Sequence, residues 1–234
     1  MMKKIAIFGN IYGNYQALDS ILKDIDKYSF DNVICLGNLI GKGPNSIDCI
    51  NAVIDSKVIL LMGNEEYFIT RDDVELNKKS FTSFLKSLLD DNQKNYLKSL
   101  KFSYEILDNG HLFTFSNFFI DNNSKNKYPF VNYNFLCGND FYNLLEKSDY
   151  EYLFCVNNGE SVNTYIGKRL FSFIRGSGCT DSEYTSYTIL EFNKSIINVR
   201  TKIIKYDRKE FIKSFDKSNA FKEYIEDMKS FFNL

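Results

Sequence analysis

One histidine, His111, is all that 234 residues contain, so this chain cannot supply a site built from several imidazoles. Cysteine is present but never grouped. Cys35, Cys49, Cys137, Cys155 and Cys179 are odd in number, widely spaced and without a Cys-x-x-Cys pair, which speaks against a disulfide framework and against a thiolate zinc site. Cys35 and Cys155 lie in apolar runs and read as buried packing residues. No sign of charge prevails: 29 basic residues face 30 acidic ones, so no whole-chain field draws the protein to nucleic acid or to an anionic membrane. Long apolar runs are missing too. After Met1-Met2-Lys3-Lys4 only Ile5-Ala6-Ile7-Phe8 precedes Gly9-Asn10, too short for a secretory leader, and nothing later approaches a membrane span. A reduced, cytoplasmic setting is the expectation.

What is there is a globular composition, 44% apolar and 25% charged. The length suits one large α/β domain over residues 1–234, with helices over about 207–234 packed on it or extending it. Lys3 to Gly9 reads as a buried strand. Asn14 is placed to cap a helix whose apolar stripe is Ala17, Leu18, Ile21, Leu22 and Ile25. A strand from Asn32, a helix from about Ser46 to Ile54 and a strand from Lys57 to Met62 follow. Strand, loop and helix in repetition predict a parallel sheet with crossover helices. Two helices are expected around Phe81–Leu89 and Tyr96–Leu100. The texture then turns to strands from Phe102, with a turn at Asn109-Gly110. Asp121 to Asn134 reads as a polar loop and Gly138 to Ser148 as a helix. Strands are expected at Tyr152–Val156, across Val162–Phe173, at Ser186–Phe192 and at Ile196–Tyr206, and helix from Asp207 to the end.

In an open parallel sheet, ligands bind beyond the carboxyl ends of the strands. Three loops leave those ends: Gly9-Asn10-Ile11-Tyr12-Gly13-Asn14, Gly37-Asn38-Leu39-Ile40-Gly41-Lys42-Gly43-Pro44 and Gly63-Asn64-Glu65-Glu66. A Gly-Asn step opens each one. Their order and spacing are similar to those of calcineurin-like metallophosphoesterases, in particular the small bacterial and archaeal branch, whose loops read Asp-x-His-Gly-Asn, Gly-Asp-x-x-Gly-x-Gly-Pro and Gly-Asn-His-Asp. The helix from Asp91 to Leu100 and the Gly176-Ser177 step ahead of Ser186-Tyr187-Thr188-Ile189-Leu190 resemble the same branch. The resemblance covers residues 3 to 206. It implies a four-layer αββα sandwich of the metallophosphoesterase type, with two mixed β-sheets flanked by helices.

The resemblance also assigns the family's metal ligands to positions of this chain, and most are replaced. Its first Asp and His fall on Asn10 and Tyr12, its bridging Asp on Asn38, and its ligand Asn is kept as Asn64. The catalytic His becomes Glu65 and its supporting Asp becomes Glu66. A later His falls on Phe115, and the closing Gly-His-x-His step on Val156-Asn157-Asn158-Gly159. His111 lies four residues upstream of the matching position, at the other end of its strand.

Charge decides what these losses mean. Two dications about 3.5 Å apart repel by roughly 19 kcal/mol at an effective dielectric of about 20. A bridging carboxylate normally offsets this, and an amide at Asn38 presents one neutral oxygen instead. The expectation is therefore no catalytic residue and no metal, on a fold kept for binding a phosphorylated ligand, a nucleotide or a protein partner. The ligand-binding set would be Asn10, Tyr12, Gly13, Asn14, Asn38, Lys42, Asn64, Glu65, Asn157 and Arg175. Gly13-Asn14 and Gly41-Lys42-Gly43 suit a phosphate group, and Arg175 suits a bidentate pair with an anion. A second reading is an active phosphoesterase on a remodelled centre. There Asn10, Asn38, Asn64 and Glu65 would hold Mg2+ or Ca2+ weakly through oxygen, and Glu65 would act as general base. A third is a structural or assembly protein, with Phe211, Phe215, Phe231 and Phe232 as interface candidates, although packing in the core is the favoured reading of those phenylalanines.

Overall fold

A computed structural model describes residues 1–71, 81–117, 119–120, 130–131, 143, 145–157, 159–218 and 222–234. Cys137 and most of the helix expected over Gly138 to Ser148 lie outside these residues. The described chain forms two five-stranded mixed sheets. The first takes β1 (Lys3–Phe8), β2 (Asn32–Cys35), β3 (Val58–Leu60), β11 (Tyr184–Phe192) and β12 (Ile197–Lys205) in the order β12-β11-β1-β2-β3. The second takes β4 (Ser103–Asp108), β5 (His111–Ser116), β8 (Tyr152–Asn157), β9 (Val162–Ile166) and β10 (Arg169–Arg175) in the order β4-β5-β8-β10-β9. Strands β6 (Phe119–Ile120) and β7 (Phe130–Val131) pair separately, so a strand occurs where the composition predicted only loop. The Phe-Val pair satisfies its backbone against Phe119-Ile120, a pairing too short to leave a periodic signal.

Strand alternation builds the layers. Ile5 and Ile7 of β1 face the second sheet and join Ile34, Phe113, Phe115, Phe154, Leu190 and Phe192 in the core between the sheets. Ala6 and Phe8 face the other way, against Leu18 and Ile21 of α1 (Tyr15–Ile25) and Cys49 and Ile50 of α2 (Ser46–Ile54). On the outer face of the second sheet Leu153, Cys155, Phe171 and Phe173 pack with Leu145. Each such fully buried side chain contributes roughly 1.5–3 kcal/mol. The helices α3 (Asn64–Thr70), α4 (Phe81–Leu88) and α5 (Asp91–Lys98) follow β3, and the chain ends in α6 (Arg208–Asp216) and α7 (Lys222–Phe231). Phe211, Phe215 and Phe232, offered as interface candidates, are buried at 2% exposure or less, while Phe231 keeps 37%. Core packing, the favoured reading, holds for Phe211, Phe215 and Phe232, which join one cluster with Tyr224 and Met228. No described helix is long and apolar enough to cross a membrane.

In both sheets the parallel strands run the same way as their sheet neighbours: β1, β2 and β3 in one, β5, β8 and β10 in the other. The loops beyond β1, β2 and β3 meet in a crevice, and the chain beyond β8 and β10 contributes to it through Asn157 and Gly176, described next.

Candidate functional site

The first two motif loops are stitched together by their backbones. The N–H groups of Asn10, Tyr12 and Gly13 donate to the carbonyls of Gly37 (2.9 Å), Asn38 (2.8 Å) and Leu39 (2.9 Å). This zipper forces an unusual backbone. Asn10, Tyr12, Asn38 and Lys42 all have φ between 51° and 59°, the left-handed region that costs an ordinary L-residue roughly 1–2 kcal/mol. Asn tolerates it through local hydrogen bonding, whereas Tyr and Lys do not, so tertiary contacts hold Tyr12 and Lys42 there. Gly13 is required by space as well as by its φ of 73°: an added Cβ would stand 2.7 Å from the Gly43 carbonyl oxygen.

Glu66 locks the second loop. It is fully buried and its carboxylate accepts from the backbone N–H groups of Asn38 (2.8 Å), Leu39 (2.7 Å), Ile40 (3.2 Å) and Gly63 (3.0 Å). Burial pushes its carboxyl up to about 7, and the N–H donors of Ile40, Asn38 and Leu39 pull against that rise. The residue therefore orders the crevice floor and offers nothing to a ligand.

Asn38 sits at the centre. Its Oδ1 accepts from the Glu65 N–H (3.1 Å), which decides the orientation of the amide. The amino end must then face inward, and it donates to Asn10 Oδ1 (2.9 Å) and to Tyr12 Oη (3.3 Å). Burial, with Cys179, Glu65 and Glu66 nearby, raises the Tyr12 phenol above its ordinary value and keeps it protonated. Glu65 pairs with Lys42 (3.4 Å). Burial raises the Glu65 carboxyl, and the Lys42 ammonium offsets part of the rise. Among the described residues no three His, Cys, Asp or Glu side chains group in a way that could hold a metal ion.

The remaining expected residues are dispersed in role. Asn14 is fully buried and spent on structure: its Oδ1 caps α1 at Ala17 N–H (3.1 Å) and its Nδ2 donates to the Gly178 carbonyl (2.9 Å). Asn64 opens α3 beside Glu65. Asn157 ends β8, and its side chain closes a local turn, accepting from Gly159 N–H and donating to the Glu160 carbonyl. Its backbone carbonyl takes the Gly176 N–H (2.9 Å), and a Cβ on Gly176 would stand 3.0 Å from Asn10 Cβ, so this strand end reaches the crevice wall. Arg175 lies beside it in the β10–β8 register and pairs with Glu160 (2.9 Å). Four N–H groups in the two phosphate-suited loops already have partners: Gly13 with Leu39, Asn14 with Ile11, Gly41 with Ser46 Oγ (3.1 Å) and Gly43 with Gly41.

Some residues of the site carried little sequence signal. Asn117, just past β5, is 5% exposed with its Nδ2 unpartnered among the described residues, as is the Oγ of fully buried Ser177. Asn117 continues the face of Phe113 and Phe115, and its place after an apolar alternating strand was the available clue. Phe115 itself stacks on Phe154 (5.2 Å, 19°) inside the core. Phe231, from the far end of the chain, lies edge-on to Tyr12 (5.1 Å, 75°). His111 is distant from all this, at the amino end of β5 with Glu151 (2.8 Å) and Tyr152. A separate cleft of about 760 Å3 is lined by Asp181, Glu183, Lys205, Tyr206 and Arg208 among others. The helix end there is already capped by Asp207, which takes the Glu210 N–H (2.9 Å).

Comparison with known proteins gives this geometry a lineage. The sequence model of the calcineurin-like phosphoesterases matches residues 3–195. Protein MJ0912 of Methanocaldococcus jannaschii is 30% identical over 82 residues, 35% of this chain and 31% of that protein. The chain thus aligns with under a third of that relative's length. A metallophosphoesterase from Sphaerobacter thermophilus superposes with a TM-score of 0.68 at 17% identity, over 98% of this chain and 99% of that one. Protein PH1004 of Pyrococcus horikoshii superposes with a TM-score of 0.69 at 15% identity, over 96% and 97%.

Proposed function

We propose, from the premise that this chain belongs to the calcineurin-like phosphoesterase family, that it has kept the fold as a binding scaffold and does not hydrolyse phosphoesters. One observation carries the reading: the Asn38 amino group, held inward by the Glu65 N–H on its other end, donates to Asn10 and Tyr12 where the family places a bridging carboxylate between two divalent ions. An N–H donor directed at that point repels a cation, and the phenol beside it is protonated. Among the described residues the carboxylates at hand are spent, Glu65 on Lys42 and Glu66 on four backbone N–H groups. These residues do not fit a pair of divalent ions, whose mutual repulsion of roughly 19 kcal/mol needs anionic ligands between them. No hydrolytic step is derived through them.

The same accounting favours a protein partner over a phosphorylated ligand or nucleotide. The N–H groups of Gly13, Asn14, Gly41 and Gly43 that would cradle a phosphate are bonded within the crevice, and the Lys42 and Arg175 side chains are each paired with a carboxylate. The second reading, catalysis with Mg2+ or Ca2+ on oxygen ligands, draws support from Glu65, whose raised carboxyl suits a general base. Assay against phosphomonoester and phosphodiester substrates with magnesium, calcium or manganese added separates the two. The scaffold reading expects no turnover above the metal-free blank. Metal-dependent turnover abolished by Glu65→Gln would establish the enzyme instead.

A further inference from the structure

We infer that α7 is a strap across the mouth of the crevice, latched by Phe231 on Tyr12, and that it opens while the sandwich beneath it stays closed. The latch stands on contacts alone, apart from the binding role proposed above. Those contacts run without a break from the chain's end to the crevice floor. The Phe231 ring meets the Tyr12 ring edge-on at 5.1 Å, the Lys42 ammonium stands 5.8 Å from the Phe231 centroid, and Tyr12 Oη accepts from the central Asn38 amide. Both residues beneath Phe231, Tyr12 and Lys42, are held in left-handed backbone conformations, which persist where surrounding structure imposes them.

The strap is built to leave without opening the sandwich. Tyr224, Met228 and Phe232 of α7 and its end pack with Phe211 and Phe215 of α6 and with Tyr12 and Ala17 in a cluster distinct from the core between the sheets, and Phe81 of α4 packs on both it and the core under α1 and α2. Elements with their own small apolar cluster open at lower free energy than the main core. The latch is also the thin end of the strap: Phe231 is 37% exposed where Phe232 is 2%. Both helices lie beyond residue 195, where the match to the family ends. Displacing α7 would uncover an aromatic ring, an ammonium and the side chain of Cys179, which packs against the same cluster.

Cys179 is a built-in reporter. Cys35, Cys49 and Cys155 are fully buried, while Cys179 is only partly covered. In a Cys137→Ser background, the rate of maleimide labelling at Cys179 reads how often the strap is open. Phe231→Ala should raise that rate about tenfold, the scale of one aromatic contact with its buried area, with Cys35 and Cys49 still protected. Phe68→Ala, an exposed aromatic elsewhere, should leave it unchanged. Unchanged labelling in Phe231→Ala overturns the strap. So does equal acceleration at Cys35 and Cys49, which reports general loosening. Metal-dependent hydrolysis would sink the scaffold reading and leave this result standing, so the two failures are distinct.

Discussion

In the crevice, Glu66 is fully buried and its carboxylate accepts only backbone N–H groups, those of Asn38, Leu39, Ile40 and Gly63. On the flank between α1 and β12, Asp24 is nearly as buried but takes side-chain partners: Lys202 at 2.6 Å, Tyr187 Oη at 2.9 Å and Lys27 at 3.3 Å. The flank answers an anion with a cation, and Lys202 is itself backed by the Tyr28 ring at 4.1 Å. The crevice answers its buried carboxyl group with loop backbone, so hydrogen bonds to Glu66 shape the loop and among the described residues no cation pairs with it. A carboxyl group spent on closing a loop is unavailable to a metal.

The two regions carry opposite pH signatures. Burial raises Glu66 from about 4.5 to about 7, so its contribution to stability is fully present below about pH 4.5 and is lost as pH climbs through about 7. Burial works against Asp24 too, but hydrogen bonds from Lys202, Tyr187 and Lys27 outweigh it and hold the carboxyl below its ordinary value. Its contribution is present at neutral pH and lost as pH falls below about 4.

Glu66→Gln should have the largest effect, about 3 kcal/mol of unfolding free energy at pH 7, because its amino end cannot accept from the Asn38 and Gly63 N–H groups. Urea unfolding measures it, and a loss under about 1 kcal/mol would mean that Glu66 is not what closes the loop. The variant should also lack the parent's decline in stability between about pH 4.5 and 7. Asp24→Asn should cost about 2 kcal/mol at pH 7 by leaving Lys202 without its anion, and should flatten the acid limb while sparing the neutral one. If both variants changed the same limb, the contrast between the regions would collapse. Asn38→Asp should cost about 1 kcal/mol, since a carboxylate there faces Asn10 Oδ1 and adds charge beside Glu65. Millimolar magnesium or manganese should not recover the loss in thermal unfolding; recovery would show that one carboxylate suffices to rebuild a metal site. Tyr12→Phe should be the mildest, about 0.5 kcal/mol for one long hydrogen bond, with the ring contact to Phe231 retained.

Much of the fold was legible along the chain because it is local. The alternation of Ile5-Ala6-Ile7-Phe8, the stripe of α1 with its Asn14 cap and the Gly-Asn steps at three strand ends each follow from neighbours in sequence. The site was legible only as a set of positions. That Asn10, Tyr12 and Asn38 meet was implied by the motif order, but the direction of the Asn38 amide depends on a Glu65 N–H 27 residues away, and periodicity holds no trace of such a bond. Gly13 reads as an open donor for the same reason, since its acceptor, the Leu39 carbonyl, lies on another loop, whereas Asn14, Gly41 and Gly43 donate within their own turns to Ile11, Ser46 Oγ and Gly41.

By itself the sequence determined the alternation of strands and helices, since strand period and helix stripe are written in adjacent residues, and its motif resemblance to the phosphoesterases implied the four layers and the replacement of anionic and imidazole ligands. Only the tertiary structure decided how the crevice spends what remains. Hydrogen-bond partners, left-handed backbone at Tyr12 and Lys42, and the reach of Phe231 from the last helix to the first loop are set by distances between segments that the chain brings together only when it is packed.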